Sequence, residues 1–282
     1  MAEEEFPEPK YFPPGHFYSP YPDLAEVQER RLEIFDRTID LAGIDLRIDS
    51  QVQLLAELAQ HYARLPYGET QSSELRYSFD NGMFGCGDGT FLFLMLEHLQ
   101  PRRIIEVGSG WSSALMLDSA QAMASPMELV FIEPYTDRLM GLLGEGDHQQ
   151  VEILEQPLQA VDPSLFSTLQ SGDILFIDST HVSKAGSDVN LLFFEIIPRL
   201  HPGVYVHVHD VFYPFEYPER WIMAGRAWNE NYLLRSFLQF NTSFEVTLFP
   251  HMMHLRHAQW MEEHLPITRK QRGGSFWMRR TN

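Results

Sequence analysis

Thiols are almost absent from this 282-residue chain, which has Cys86 as its single cysteine. One thiol makes neither an internal disulfide nor a zinc–thiolate cluster, so the fold must rest on its core, and Cys86 reads as a small buried hydrophobe. Positive charge is also scarce. Lys and Arg number 21 against 39 Asp and Glu, for a formal net charge of −18 and a pI near 5.0. Such a surface repels phosphate backbones and anionic lipid, so neither nucleic acid nor a membrane is expected as a partner. Long apolar runs are missing: none approaches the roughly 18 residues needed to span a bilayer. The start Met1-Ala2-Glu3-Glu4-Glu5 has neither the basic residues nor the apolar run of a signal peptide. A cytoplasmic protein is expected. No internal repeat and no low-complexity tract is present.

What is there suits a sizeable core, since hydrophobic residues make up 44%. The start is rich in proline and aromatics up to Tyr21, and such a segment is expected to lie on the protein body. Asp23 can cap a helix from Leu24, whose apolar spacing runs to a stop at Gly43. A second helix is predicted over Ser50 to Arg64, and a glycine-rich stretch, Tyr77 to Thr90, leads into an apolar helix from Phe91 to Leu99. After Pro101 the texture changes. Short apolar runs at 103–107, 128–133, 151–154, 173–178 and 204–209 alternate with helical patterns at 112–123, 136–143, 163–169 and 187–200. A helix at 229–240 and two strands, 244–249 and 275–279, follow. Alternating strands and helices imply βαβ units. The expected fold is α/β: a Rossmann-like, doubly wound, mostly parallel sheet with a closing antiparallel strand. Residues 1–101 form a helical N-terminal extension over the active site, not an independent domain, and residues 102–282 the main domain.

The first strand ends Glu106-Val107-Gly108-Ser109-Gly110-Trp111-Ser112-Ser113. Gly108 and Gly110 at a strand-to-helix turn let backbone approach a ligand, and the helix start at Ser112 offers free N–H groups. Ligands of open α/β sheets bind at this rim. The third glycine of the dinucleotide pattern is replaced by Ser113. Glu106 suits an amine-bearing ligand better than a pyrophosphate. Glu133 ends the second strand, at the distance where an acid grips ribose hydroxyls.

These residues resemble class I S-adenosylmethionine-dependent methyltransferases over about residues 102–282. The resemblance makes Glu106-x-Gly108-x-Gly110 the motif that contacts the amino acid part of S-adenosylmethionine. It makes Glu133 the ribose-binding acid and places Gln156 near the adenine. A more specific set is Asp178-Ser179-Thr180-His181, Gly186-Ser187-Asp188-Val189 and His207-Val208-His209-Asp210, which is similar to methyltransferase family 24.

That set also has a reading of its own. Asp178 and Asp210 end neighbouring strands, so both carboxylates reach the rim where the cofactor is expected. His181 follows Asp178 by one short turn and is the candidate base, with Asp210 beside it. Asp178, His209 and Asp210 can alternatively hold a divalent cation. Catechol-type methyltransferases and a cephalosporin-related branch hold magnesium with acids at these two strand ends. His181 and His209 with a carboxylate would instead suit iron. The departures are Val211, where the first group has an amide, and His209, where the second has an acid. His207 is read as a satisfied core histidine, and the cluster from His251 to His254 as structural. The loop from Val211 to Trp221 is aromatic and expected to hang over the site.

The expected reaction is methyl transfer to a small-molecule acceptor, with oxygen the first choice of accepting atom. A homo-oligomer is compatible with the chain. A nicotinamide-dependent oxidoreductase and a non-catalytic binding protein of the same fold stand as alternatives. Binding of S-adenosylmethionine against NAD separates the first from the enzyme, and an acceptor assay separates the second.

Overall fold

The computed structural model describes residues 12–70, 72–123 and 126–282. The extension opens with α1 (Leu24–Glu29), capped as expected by the Asp23 carboxylate, which accepts from the amides of Ala25 and Glu26. The long helix predicted to Gly43 does not form. A short α2 (Arg31–Ile34) follows, and the helix then stops. Asp36 Oδ1 accepts from Thr38 N at 2.8 Å and Thr38 Oγ1 at 2.7 Å, a local turn that competes with the helical ladder. Before α1, the expectation that the aromatic start lies on the body is corrected for the described part. Phe17 is 80% and Tyr18 67% exposed; Phe17 stacks on His16, and Tyr18 packs against the same ring at a tilt. The earlier aromatics of that segment, Phe6 and Tyr11, lie outside the described residues.

α3 (Ile48–Ala59) comes next, with a 3₁₀ turn after it. α4 (Cys86–Leu99) starts five residues before the predicted Phe91. Its glycines are not loop residues. A Cβ on Gly87 would stand 2.1 Å from the Gln271 carbonyl oxygen, and one on Gly89 would stand 2.1 Å from the Tyr77 hydroxyl. They let the helix touch its neighbours. α4 is buried on all sides from Cys86 to Leu96, the pattern of a helix enclosed in a core.

The main body runs β1 (Arg103–Val107), α5 (Trp111–Ala122), β2 (Glu128–Ile132), α6 (Asp137–Met140), β3 (Val151–Leu154), β4 (Ile174–Ile177), α7 (Asp188–Leu191), β5 (Tyr205–Val208), α8 (Glu219–Met223), α9 (Glu230–Leu238), β6 (Phe244–Leu248), α10 (Pro250–Arg256), α11 (Ala258–His264) and β7 (Phe276–Arg280). The predicted helix at 163–169 is a 3₁₀ segment, Pro163–Thr168. The one predicted at 187–200 is α7 followed by a π segment and a 3₁₀ turn, Leu192–Ile196 and Ile197–Arg199. α10 and α11 have no counterpart in the sequence reading.

The seven strands form one sheet in the order β3-β2-β1-β4-β5-β7-β6. β7 runs antiparallel to both β5 and β6, and the other pairs are parallel. This is the expected Rossmann-like sheet with its antiparallel closure. β4 is buried at every residue and reads as a continuous apolar run, whereas edge strand β6 alternates buried and half-buried. The strand order reverses between β1 and β4, so their carboxyl ends splay apart and open a crevice.

One hydrophobic core includes Leu41, Leu55 and Leu58 of the extension, α4 and both halves of the sheet. Gln51 ties the extension to the closing strands: its amide donates to Leu46 O at 2.5 Å and accepts from Phe249 N at 2.7 Å. No helix among the described residues is long and apolar enough to cross a membrane.

Candidate active site

The crevice between β1 and β4 opens into a cavity of about 1060 Å³. The turn after β1 forms one wall, with Gly108, Ser109, Gly110, Trp111 and Ser112 on it. Gly108 is a structural glycine first. Its φ is +83°, and a Cβ there would stand 1.9 Å from the Asp178 carbonyl oxygen, so the close pass of two strand ends requires it. Gly110 faces only the Arg138 side chain, 3.1 Å from an added Cβ. Glu133 also lines the cavity. Its carboxylate accepts from Ser109 N at 3.1 Å and from Tyr135 N at 2.8 Å, which aims an acceptor group at the cavity beside the glycine turn.

Two predicted cofactor contacts sit elsewhere. Glu106 is fully buried under the turn and is not on the cavity wall. The Ser112 hydroxyl donates to Glu106 Oε1 at 2.5 Å and the Ser113 hydroxyl donates to Oε2. Burial pushes the Glu106 carboxyl up to about 8, against the pull of the two serines. Ser113 Oγ also accepts from Gly110 N at 2.9 Å. The residue in place of the third dinucleotide glycine is thus a strut inside the turn. Gln156 is half-buried, and its amide reaches Ala160 O at 3.5 Å, away from the cavity lining.

The opposite wall is built where β4 and β5 end. Asp178, His181, His209 and Asp210 all line the cavity, as their strand positions imply. His181 (φ +60°) and Asp210 (φ +57°) hold left-handed backbone that side chains rarely adopt, a strain typical of functional sites. The strain at His181 is held by α9: Asn229 N and Glu230 N donate to His181 O, and Ser179 Oγ donates to Glu230 at 2.9 Å. His181 Nδ1 lies 2.9 Å from Glu230 Oε2. Its Nε2 lies 3.3 Å from Asp178 Oδ1 and 3.7 Å from Asp210 Oδ2.

Burial alone would depress the His181 imidazole, but the bonds from Asp178 and Glu230 push it up to about 10. It is therefore an imidazolium at neutral pH, not the free base expected from sequence. His209 is also raised: burial opposes the charge, and Asp210, Asp178 and Asp88 outweigh it. Burial raises the Asp178 carboxyl, but His209 and His181 overcome that and hold it below its ordinary range. Burial leaves Asp210 raised despite the same two histidines.

The family model described as "Methyltransferase domain" (Methyltransf_24) matches residues 105–211, from the first strand to the residue after Asp210. A protein of Archaeoglobus fulgidus, itself uncharacterized, is 36% identical over 172 residues, 58% of this chain and 76% of its own length. The chain belongs to the class I S-adenosylmethionine-dependent methyltransferases. Similar solved structures span most of the chain. The SAH-bound Podospora anserina methyltransferase PaMTH1 is 14% identical with a TM-score of 0.44, covering 92% of this chain and 96% of that one. The O-methyltransferase TomG of Streptomyces achromogenes, in complex with SAM, is 16% identical with a TM-score of 0.43, covering 92% and 96%. An O-methyltransferase of Bacillus cereus, in complex with SAH, is 14% identical with a TM-score of 0.43, covering 92% and 97%.

In this methyltransferase the predicted metal set, Asp178, His209 and Asp210, does not fit an ion. Among the described residues no group of three or more His, Cys, Asp or Glu side chains is arranged to hold one. His181, which the iron alternative would need, has both ring nitrogens against carboxylates, Nε2 3.3 Å from Asp178 Oδ1 and Nδ1 2.9 Å from Glu230 Oε2. The imidazolium itself bridges the carboxylates at the rim.

Several wall residues of the methyltransferase were not foreseen. Asp88, at the start of α4, accepts from Gly274 N at 2.8 Å and Ser275 Oγ at 2.7 Å. A Cβ on Gly273 would stand 2.4 Å from the Asp88 carboxylate, and one on Gly274 would stand 2.9 Å from Asp210 Cα. The Gly273-Gly274 pair thus threads the chain between the two acids, a signal readable as a second glycine pair before the last strand. Gly82, Met83 and Phe84, in the glycine-rich stretch before α4, line the cavity. So do Phe212 and Trp221 of the aromatic loop. His251 is not merely structural: it sits on α10 and lines the cavity too. His207 is fully buried and stacked on Phe176 at 3.9 Å. Neither of its ring nitrogens has a hydrogen-bond partner, so it is a neutral core ring held by stacking and not a hydrogen-bonded one. Cys86 is buried as expected, its thiol donating to Ile267 O at 3.3 Å.

Proposed function

We propose that this chain transfers a methyl group from S-adenosylmethionine to a hydroxyl oxygen of a small molecule, with Asp210 as proton acceptor. The observation behind this reading is the Asp178–His181–Asp210 bridge on the cavity wall opposite the glycine turn. When bound, the cofactor supplies an activated methyl group on a positively charged sulfur.

The residues that would hold it are the turn from Gly108 to Ser112, with its backbone approach, and Glu133, whose carboxylate offers acceptors for ribose hydroxyls. Asp178 favours positive charge at the rim. An acceptor hydroxyl placed at the β4–β5 end meets Asp178 and Asp210. His181, clamped by Glu230, fixes both carboxylates and leaves them as acceptors. Asp210 is the better base of the two, because burial lifts its carboxyl while Asp178 is held low. Phe212, Trp221 and Trp228 supply apolar walls that exclude water. Alignment of a hydroxyl against the methyl is the larger part of what such a site contributes.

Calorimetry with S-adenosylmethionine against NAD, then a labelled-methyl screen over a metabolite extract, tests the reading. Binding of S-adenosylmethionine alone and label transfer to a small molecule are expected. Preferential binding of NAD would overturn it.

A further inference from the structure

The sequence is short of positive charge, yet cations gather on this cavity. Arg37, Arg138, Arg220, Arg226, Lys270 and Arg272 line it. Lys270 pairs with Glu69, and Arg226 stacks on Trp221 and Trp228 at 4.3 and 4.8 Å. Arg138 stands beside Gly110, on the side where the cofactor is expected.

Arg37 and Arg272 are the two whose charges act on the His251 ring. Arg37 Nη1 donates to Tyr213 O at 2.7 Å, beyond the end of β5. Arg272 directly precedes the Gly273-Gly274 thread that packs on Asp88 and Asp210. Among the described residues neither guanidinium has a carboxylate within salt-bridge distance.

His251 lines the same wall, in contact with Arg37 and within the field of Arg272. Its Nδ1 accepts from Tyr213 N at 3.0 Å, so a neutral ring carries its proton on Nε2. That nitrogen lies 3.5 Å from Arg37 Nη1: two donors face each other with no acceptor between them. The electrostatics agree with the geometry. Burial, then Arg37 and Arg272, push the His251 imidazole down to about 3, and burial together with Arg272 lowers Arg37. Arg37 is half-buried and Arg272 exposed; a half-buried cation without a counter-charge is unfavourable unless an anion completes it, and Arg272 adds a second, solvent-facing donor at the same wall.

Resting on the methyltransferase reading above, we propose that the acceptor is an anion, bearing a carboxylate or phosphate. That group docks on Arg37, Arg272 and the His251 Nε2–H, and its hydroxyl faces Asp178 and Asp210. The anionic group is then a handle remote from the accepting oxygen and keeps its charge through the reaction. The acidic exterior would repel such a molecule, so the cavity's own cations must select it.

The test is calorimetry on the full chain saturated with S-adenosylhomocysteine, titrated with benzoate, phenyl phosphate and the neutral benzamide at low ionic strength. At least one acid should bind about tenfold or more tighter than benzamide, the scale of one charge-assisted hydrogen bond. Which acid leads distinguishes a carboxylate handle from a phosphate one. Arg37→Gln and Arg272→Gln should each remove that preference while S-adenosylhomocysteine binds as before, and Arg37→Lys should recover part of it.

The proposal is overturned if neither acid binds better than benzamide, or if the preference survives both Gln variants. It is also overturned if those variants abolish S-adenosylhomocysteine binding, because the arginines would then hold the cofactor's carboxylate. Failure of the wild-type chain to bind S-adenosylhomocysteine at all would remove the methyltransferase reading beneath it.

Discussion

His181 Nδ1 lies 2.9 Å from Glu230 Oε2, and this contact between a β4 loop and α9 decides what the imidazole can do. Glu230 is 1% exposed, so its charge is screened little by solvent. Replacing it by Gln keeps the shape and removes the ion. The His181 imidazole should then fall by roughly 1–3 units, read by NMR titration of the ring. An unchanged titration would show that Asp178 alone holds the proton.

Two groups give stability the same dependence on pH. Glu106 is raised from 4.5 to about 8 in the fold, so its contribution is full below 4.5 and lost as pH rises through about 8. His181 is raised from 6.5 to about 10, so its contribution is full below 6.5 and lost as pH rises through about 10. The melting temperature should therefore fall from pH 7 to pH 10. Glu106→Gln can keep one hydrogen bond to each serine and carries no buried charge. Its loss of stability near pH 8 should shrink, and a variant that melts in parallel with wild type across that range would contradict the assignment.

The two glycines of the turn should behave differently. Gly108→Ala places a methyl group against the Asp178 carbonyl at 1.9 Å on a backbone with φ +83°, and should cost several kcal/mol or prevent folding. Gly110→Ala meets only the flexible end of Arg138 at 3.1 Å. It should melt within a few degrees of wild type and weaken S-adenosylhomocysteine binding. Gly110→Ala with full affinity would place the cofactor away from this turn.

The sheet was legible because parallel, buried strands are written as short apolar runs, and the residues at their ends follow from the same alternation: Glu133, Asp178 and Asp210. The glycine turn was legible by its chemistry. The rest of the site was not, because it arrives by tertiary packing. Arg37 comes from a loop that the helical spacing between Leu24 and Gly43 disguised, and the Asp36 turn beats that spacing. Asp88 sits in a helix whose glycines imitate a loop while serving close contact. His251 follows β6 in a short helix that begins at Pro250, where proline is accommodated at the first turn. Glu106 was placed correctly on its strand, but the two serines that claim its oxygens could not be ranked against a ligand from sequence.

The extension shares its core with the sheet, and Gln51 satisfies two backbone groups at once. Gln51→Leu should therefore strand Leu46 O and Phe249 N and destabilise the whole chain by about 2–4 kcal/mol in chemical denaturation. We propose that residues 1–101 are not separable: a fragment starting at Arg102 would expose the apolar surface that α4 covers and should not stay soluble. A monomeric, cooperatively melting fragment 102–282 would refute this.

Asp210 tests the chemistry. Asp210→Asn preserves volume, leaves His181 bonded to Asp178 and Glu230, and removes the proposed proton acceptor. Turnover should fall by roughly 10²- to 10⁴-fold, the usual contribution of a positioned base, while S-adenosylhomocysteine affinity stays near wild type. Because Asp210 is raised above its ordinary value by burial, kcat should lose activity toward acid along a limb displaced upward from an ordinary aspartate. Asp178→Asn should weaken both cofactor binding and turnover, since Asp178 sits between the glycine turn and His181. Activity should persist after exhaustive chelation, because His181 occupies the bridging role that a cation would need. Loss of activity on chelation, restored by magnesium or iron, would mean that the imidazolium gives way to a metal when substrate binds. An Asp210→Asn enzyme with full turnover would move the proton to Asp178 or to solvent.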